Sequence, residues 1–121
     1  MAETETTLEI TPEEAADLIE EGGVELVDVR TDPEHGAGHI AGDRHVPLDE
    51  LAARAAELGT PGTIIFYCRS GDRSAAAAEA FRASGLDAKS IAGGLLAWAG
   101  EGRPLEPDDG EVAERSTLPG P

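Results

Sequence analysis

The chain has 121 residues, enough to bury one hydrophobic core but not two. Its 25 Asp and Glu residues far outnumber its nine Lys and Arg residues, which gives a formal net charge of -16. A surface this acidic repels the phosphates of nucleic acids and anionic lipid, so both kinds of partner are disfavoured. Aromatic residues make up only 3% of the chain, so the core must be built mainly from Val, Leu, Ile and Ala.

The start of the sequence and the cysteine content indicate a cellular compartment. The first residues are polar and acidic, and no apolar run approaches the length that crosses a membrane. Cys68 is the single cysteine, so no disulfide can form within the chain. We therefore expect a soluble protein of a reducing cytoplasm.

The first third of the sequence predicts a helix followed by a buried strand. Thr11 is a candidate N-cap, Pro12 suits the first helical position, Glu14 completes a capping box, and Gly22 ends the helix. Residues 24–29 are rich in β-branched side chains, which is typical of a buried strand. A loop is expected next, because four Gly or Pro residues follow: Pro33, Gly36, Gly38 and Gly42.

The middle of the chain predicts a second helix and a second strand. Apolar residues recur at helical spacing before a glycine stop at Gly59. They are Leu48, Leu51, Ala52, Ala55 and Leu58. The segment Thr63–Tyr67 is almost wholly apolar, the pattern of a strand covered on both faces.

The last elements complete a repeated alternation of strand and helix. Residues 74–85 predict a third helix, residues 88–91 a short strand, and residues 95–100 a last helix with Trp98 in the core. This order predicts an α/β domain over residues 8–104, with a mainly parallel central sheet flanked by helices on both faces. Residues 105–121 are rich in Pro, Gly and acidic side chains and predict a loosely held C-terminal tail.

Cys68 directly follows the strand Thr63–Tyr67 and precedes the third helix, at the edge of a parallel sheet where ligand sites form. Gly71 permits a tight turn whose backbone N–H groups converge on an anion, and the helix dipole favours a thiolate. A lone cysteine is more often a small buried apolar residue, but that role requires neither the glycine turn nor the neighbouring arginines. Cys68 is therefore the predicted nucleophile. The predicted substrate-binding residues are Arg69, Ser70, Gly71, Asp72, Arg73 and Ser74.

Three other polar residues are candidates for supporting roles. Asp28 and Arg30 could orient the cysteine loop or contact substrate, although a buried structural pair is the favoured interpretation. His39 could act as an acid or base, but a hydrogen bond within its own turn is favoured, because no catalytic partner stands at a fixed spacing. His35 and His45 form no metal-ligand pattern with the cysteine, so neither a metal site nor a cofactor is predicted.

The loop CRSGDRS, residues 68–74, resembles the active-site loop of the rhodanese family of sulfurtransferases, which has the pattern Cys, Arg, any residue, Gly, any residue, Arg. Three more segments resemble family signatures in the same order: LVDVR (26–30), EHGAGHIAGDRHVP (34–47) and IAGGLLAWAGEGRP (91–104). The resemblance therefore covers about residues 10–104. The chain departs from the family pattern at His35, Gly36 and Ala41, and it has an acidic residue, Asp72, at a variable loop position.

The resemblance implies a single-domain sulfurtransferase. In such an enzyme the Cys68 thiolate takes a sulfane sulfur from an anionic donor such as thiosulfate and passes it from a persulfide to an external small thiol or protein acceptor. Asp72 is expected to weaken the binding of a dianionic donor by like-charge repulsion.

Two alternatives remain open. One is a persulfide carrier or regulatory binding module that serves one protein partner. The other is a phosphatase or arsenate reductase on the related fold. Cysteine phosphatases have five residues between cysteine and arginine, whereas Arg73 follows Cys68 after four.

Overall fold

The computed structural model describes residues 8–58 and 62–114. In chain order the elements are β1 (Glu9–Ile10), α1 (Pro12–Glu21), β2 (Val24–Asp28), α2 (Asp32–Ala37), β3 (Arg44–His45), two 3₁₀ turns (Leu48–Glu50 and Ala55–Glu57), β4 (Thr63–Tyr67), α3 (Asp72–Ala83), β5 (Ala88–Ile91) and α4 (Gly94–Gly100).

The five strands form one parallel sheet in the order β1-β5-β4-β2-β3. β2 and β4 pair along their whole length, from Val24 beside Thr63 to Asp28 beside Tyr67. The chain continues from β2 towards one edge of the sheet and from β4 towards the other. Ligand sites of open α/β sheets form at such a reversal, outside the carboxyl ends of the two strands.

The side chains of β4 divide the core into two layers. Ile64 and Phe66 point to the face covered by α3 and the 3₁₀ turns, whereas Ile65 and Tyr67 point to the face covered by α1 and α4. Trp98 lies in the second layer. The predicted parallel α/β domain with helices on both faces is confirmed.

The first helix follows its predicted boundaries. The Thr11 hydroxyl accepts a hydrogen bond from the Glu14 N–H at 3.0 Å, and the Glu14 carboxylate accepts one from the Thr11 N–H at 2.9 Å. This reciprocal pair satisfies two N–H groups that the helix leaves open. Gly22 ends the helix with φ of 85°, a value that favours glycine.

The loop expected after β2 contains the helix α2, so this prediction was wrong. The Thr31 backbone N–H and hydroxyl both donate to the Glu34 carboxylate, at 3.5 and 3.0 Å. Thr31 and Glu34 have the same spacing as the capping residues of α1. Pro33 lies in the first turn of α2, where the missing N–H costs nothing.

The predicted second amphipathic helix was also wrong, because the segment forms two separate 3₁₀ turns. The apolar positions were still informative, since Leu51 and Leu58 are buried in the first core layer. The backbone at Arg54, with φ of -105° and ψ of 10°, departs from helical geometry between the two turns. The predicted stop at Gly59 lies outside the described residues.

Residues 105–114, here called the C-terminal strap, run against the domain instead of hanging loosely as expected. His39 and Glu106 exchange two backbone hydrogen bonds, of 3.0 and 2.8 Å, in an antiparallel bridge. The Glu111 N–H donates to the Ala37 carbonyl at 2.8 Å. The domain boundary at residue 104 stays a prediction, and residues 115–121 lie outside the described part. Within that part, no helix has the length and apolar character to cross a membrane.

Candidate active site

Cys68 lies at the carboxyl end of β4, the strand paired with β2, and has no exposed surface. Gly71, with φ of 107°, turns the chain so that α3 begins immediately afterwards. Three groups donate to the Cys68 Sγ: the Gly71 N–H at 3.1 Å, the Ser74 N–H at 3.4 Å and the Ser74 hydroxyl at 3.4 Å. Donors converging on one sulfur stabilise negative charge there.

Ser74 is held by a residue that the sequence did not single out. Its hydroxyl lies 2.7 Å from the Ser90 hydroxyl, and both side chains are fully buried. Ser90 belongs to β5, the strand beside β4. β5 therefore helps to orient one of the donors to Cys68, a role that no local sequence signal indicated.

Backbone N–H groups at the start of α4 hold the cysteine loop by hydrogen bonds. The Leu95 N–H donates to the Cys68 carbonyl at 2.8 Å, and the Leu96 N–H donates to the Arg69 carbonyl at 3.0 Å. A Cβ atom at Gly94 would lie 2.5 Å from both of these carbonyl oxygens. Two adjacent glycines, Gly93 and Gly94, are the local sequence signal of this close backbone approach.

We expect Gly94→Ala to shift the cysteine loop and destabilise the fold by at least about 2 kcal/mol, because a left-handed φ of 60° and a backbone clash act together. Urea unfolding and the alkylation rate of Cys68 would measure the two effects. Gly100→Ala is the matched control, since nothing lies within 4 Å of a Cβ there. Wild-type stability and thiol reactivity in Gly94→Ala would contradict this account of the loop.

Arg73, predicted to bind substrate, forms a buried ion pair in this structure. Its Nη1 and Nη2 atoms donate to the two Glu34 carboxylate oxygens at 3.1 and 3.0 Å. Burial disfavours the charge on Arg73, but Glu34 holds the pKa of the guanidinium above its usual value. The pair joins α2 to the cysteine loop. Glu34 was missed by the sequence analysis, although it begins the EHGAGHI segment.

Arg69, the residue after the nucleophile, is engaged by the C-terminal strap. Its Nε donates to the Ala113 carbonyl at 3.1 Å, and its Nη2 lies 3.8 Å from the Glu114 carboxylate. None of the hydrogen bonds to the Cys68 Sγ among the described residues comes from a guanidinium. The two predicted cations of the loop are thus both paired with other parts of the chain.

Ser70 and Asp72 lie at the exposed side of the loop. The Ser70 hydroxyl donates to the Asp72 Oδ1 at 3.0 Å, and the same oxygen lies 3.8 Å from the Cys68 Sγ. A carboxylate this close to the sulfur opposes negative charge on it. The expected repulsion between Asp72 and a dianionic donor stays a prediction, now with a distance that supports it.

Asp28 and Arg30 form a fully buried pair at the carboxyl end of β2. Arg30 Nε and Nη2 donate to the two Asp28 oxygens at 2.9 and 2.7 Å, and Nη2 also donates to the Gly38 carbonyl at 2.7 Å. Arg30 also lies over the Tyr67 ring, 5.5 Å from its centroid. Burial opposes the charge on Arg30, yet Asp28 raises the pKa of its guanidinium. These contacts fit the favoured interpretation of a structural pair.

The rings of three histidines stack next to the Asp28–Arg30 pair. His35 lies between His39, with centroids 4.0 Å apart, and His45, with centroids 4.3 Å apart. The His39 Nδ1 bonds to the His35 carbonyl oxygen at 3.0 Å, a partner in α2 and not in the turn that follows His39, so the role expected for His39 stays a prediction. The His35 Nδ1 bonds to the Asp28 carboxylate at 2.8 Å.

Asp43 is the neighbouring buried carboxyl group. Burial raises its pKa, although a hydrogen bond from the Tyr67 hydroxyl at 2.6 Å acts in the opposite direction. Burial likewise raises the pKa of Tyr67, whose hydroxyl oxygen accepts the Ile40 N–H at 2.9 Å. Tyr67 thereby ties the end of β4 to the segment that precedes β3.

His35, His39 and Asp43 offer ligand atoms within 4.8 Å of one another. The rings of His35 and His39, however, are nearly parallel, at 13°. Imidazole lone pairs lie in the ring plane, so those of parallel stacked rings do not converge on one ion about 2.0–2.1 Å away. The set could bind a metal only after a ring turned, and the absence of a metal site stays a prediction.

A buried cysteine at the end of the central strand of a parallel sheet, with N–H donors around its sulfur, defines an α/β protein with a cysteine loop at the carboxyl edge of its sheet. A family model for the rhodanese-like domain matches residues 11–101. The chain therefore belongs to the rhodanese-like domain family, which confirms the resemblance of its four segments.

Relatives and solved structures agree with this assignment. Over 92 residues the chain is 40% identical to the thiosulfate sulfurtransferase GlpE of Pseudomonas fluorescens, covering 74% of this chain and 82% of that protein. It is 41% identical over 90 residues to an HTH-type transcriptional regulator of Mycobacterium tuberculosis, covering 72% of this chain but only 39% of the regulator. The crystal structure of a rhodanese-related protein from Thermoplasma volcanium has a TM-score of 0.76 and 29% identity, covering 82% and 97% of the two chains.

The relatives differ in how much of their length this chain matches. It spans 39% of the mycobacterial regulator and 62% of the Bacillus subtilis protein YqhL, to which it is 36% identical over 64% of its own length. The same domain therefore occurs both in small proteins and as part of larger ones. Membership of the family establishes the fold, and the activity has to be argued from the site itself.

Proposed function

We propose that the protein is a sulfurtransferase that carries a sulfane sulfur as a persulfide on Cys68. The convergence of the Gly71 N–H, the Ser74 N–H and the Ser74 hydroxyl on one sulfur atom is the observation that carries the proposal. Relatives named as sulfurtransferases, from Pseudomonas fluorescens and Allochromatium vinosum, support it.

The first half of the reaction loads the cysteine. The Cys68 thiolate attacks the outer sulfur of thiosulfate and forms a sulfur–sulfur bond. The bond between that sulfur and the sulfite sulfur breaks, and sulfite leaves with the electron pair. The loop N–H groups stabilise the thiolate before the attack and the anionic persulfide after it.

The second half of the reaction removes the transferred sulfur from Cys68. A nucleophile such as cyanide or a thiolate attacks the terminal sulfur, and Cys68 leaves as the thiolate that began the cycle. Because Cys68 is the only cysteine of the chain, the acceptor must come from outside. The cycle is therefore a double displacement with ping-pong kinetics.

Mass spectrometry of the intact protein tests the loading step. Under oxygen-free conditions, thiosulfate should add the mass of one sulfur atom, and cyanide should remove it, because a persulfide gives up only its terminal sulfur. Alkylation in a parallel sample would show that the thiol is reactive. An unchanged mass in a sample whose thiol does alkylate would refute sulfur transfer from thiosulfate.

A persulfide carrier that serves one protein partner is the second candidate. The carboxylate of Asp72, 3.8 Å from the Cys68 sulfur, favours it, because like-charge repulsion opposes free thiosulfate as the main donor. Loading rates with thiosulfate and with a persulfide-bearing protein would separate the two candidates. Phosphatase activity is not supported, because four residues separate Cys68 from Arg73, whereas cysteine phosphatases have five between cysteine and arginine.

A further inference from the structure

The C-terminal strap reaches the residue that follows the nucleophile. The Ala113 carbonyl accepts the Arg69 Nε–H at 3.1 Å, and the Glu114 carboxylate lies 3.8 Å from Arg69 Nη2. Arg69 is 26% exposed, so its charge is only partly screened by water. The strap therefore holds the side chain of Arg69 and places a negative charge beside it.

Backbone hydrogen bonds and a close backbone approach attach the strap to the rest of the domain. The Glu111 N–H donates to the Ala37 carbonyl at 2.8 Å, and His39 and Glu106 exchange backbone hydrogen bonds of 3.0 and 2.8 Å. A Cβ atom at Gly38 would lie 2.7 Å from the Glu111 nitrogen, and it would also clash with the Glu111 carbonyl oxygen. Gly38 itself has φ of 175°, extended backbone that any residue adopts. The glycine is thus required by the strap and not by its own conformation.

We propose that the C-terminal strap determines which reagents reach Cys68, by withholding the positive charge of Arg69 from the cysteine loop. With Arg69 bonded to the strap, and with Asp72 beside the sulfur, the site disfavours small anionic reagents and favours neutral ones or donors delivered by a docked protein. That the reagents selected in this way are sulfur donors rests on the proposed function. The effect of the strap on the charge near Cys68 does not.

The charge effect can be measured without any sulfur transfer. Iodoacetate and iodoacetamide alkylate a thiolate by the same substitution and have nearly the same size, but only iodoacetate is an anion. The ratio of their rates at Cys68 therefore reports the local charge and cancels differences in how often the thiol is accessible. We would measure this ratio at low and at high ionic strength.

Gly38→Ala should dislodge the strap, free Arg69 and raise the iodoacetate to iodoacetamide ratio about three- to tenfold at low salt, with a smaller rise at high salt. The double variant Gly38→Ala with Arg69→Gln should lose that rise. Gly36→Ala is the matched control in the neighbouring helix, because nothing lies within 4 Å of a Cβ there. Circular dichroism would show that each variant is folded.

Glu114→Gln provides a second route, because it removes the strap carboxylate without touching the seat at Gly38. It should raise the ratio in the same direction by a smaller factor. An unchanged ratio in a folded Gly38→Ala variant would overturn the proposal. If Gly38→Ala does not fold, an unchanged ratio in Glu114→Gln would overturn it. A rise in the ratio that persists in the double variant Gly38→Ala with Arg69→Gln would also overturn it. A ratio that changes as expected in a protein that thiosulfate does not load would leave the strap's role standing and refute only the sulfurtransferase.

Discussion

Replacing Cys68 by serine should reduce sulfur transfer from thiosulfate to cyanide to the uncatalysed rate, a loss of several orders of magnitude. A hydroxyl is a far weaker nucleophile than a thiolate, and it cannot form a persulfide. No other cysteine in the chain can take over the role. Thiocyanate production at saturating thiosulfate would measure the loss.

Ser74→Ala is a graded control for this experiment. It removes one of the three donors to the sulfur and leaves the two backbone N–H groups in place. We expect a partial loss of rate, about tenfold, since a hydrogen bond to a charged group contributes about 1.5–3 kcal/mol at good geometry and less at 3.4 Å. Residual transfer by Cys68→Ser comparable with that of Ser74→Ala would show that Cys68 is not the nucleophile.

Removing the Arg73 side chain should destabilise the protein by about 3–5 kcal/mol, because Glu34 is fully buried and would lose both hydrogen bonds from the guanidinium. Arg73→Ala should show the full effect in urea unfolding at neutral pH. Arg73→Lys should be intermediate, since an ammonium group keeps the charge but cannot present two parallel N–H groups to one carboxylate.

The double variant Glu34→Gln with Arg73→Met separates a positioning role from substrate binding. It removes both charges together, so most of the lost stability should return. If Arg73 only positions the loop, the double variant should recover thiosulfate turnover in proportion to its stability. A stable double variant whose KM for thiosulfate stays strongly raised would instead show that Arg73 contacts the donor.

The parts of the fold that sequence predicted were those with local signals. The capping box of Thr11 and Glu14, the apolar run Thr63–Tyr67 and the glycine turn after Cys68 each lie within a few residues of chain, and each holds in the structure. The same Thr and Glu spacing at Thr31 was overlooked, because the surrounding Pro and Gly residues favoured a loop.

The missed parts of the site depend on contacts between distant segments. Arg73 and Glu34 are 39 positions apart, and Ser74 meets Ser90 through pairing of β4 and β5. No spacing rule connects such residues. The strap was expected to be loose because its composition is polar and rich in Pro and Gly, whereas its attachment uses backbone groups of Ala37 and His39 that side-chain patterns do not encode.

The complete burial of Cys68 bears on how long a loaded sulfur would last. A thiol or an oxidant in solution attacks only a sulfur atom that it can reach, and Cys68 has 0% exposure. Attack on a persulfide at this position would then require opening of the loop, and its rate would fall with the fraction of molecules that are open. The residence time of such a sulfur would then depend on the protein, through the N–H groups and the start of α4 that hold the loop closed.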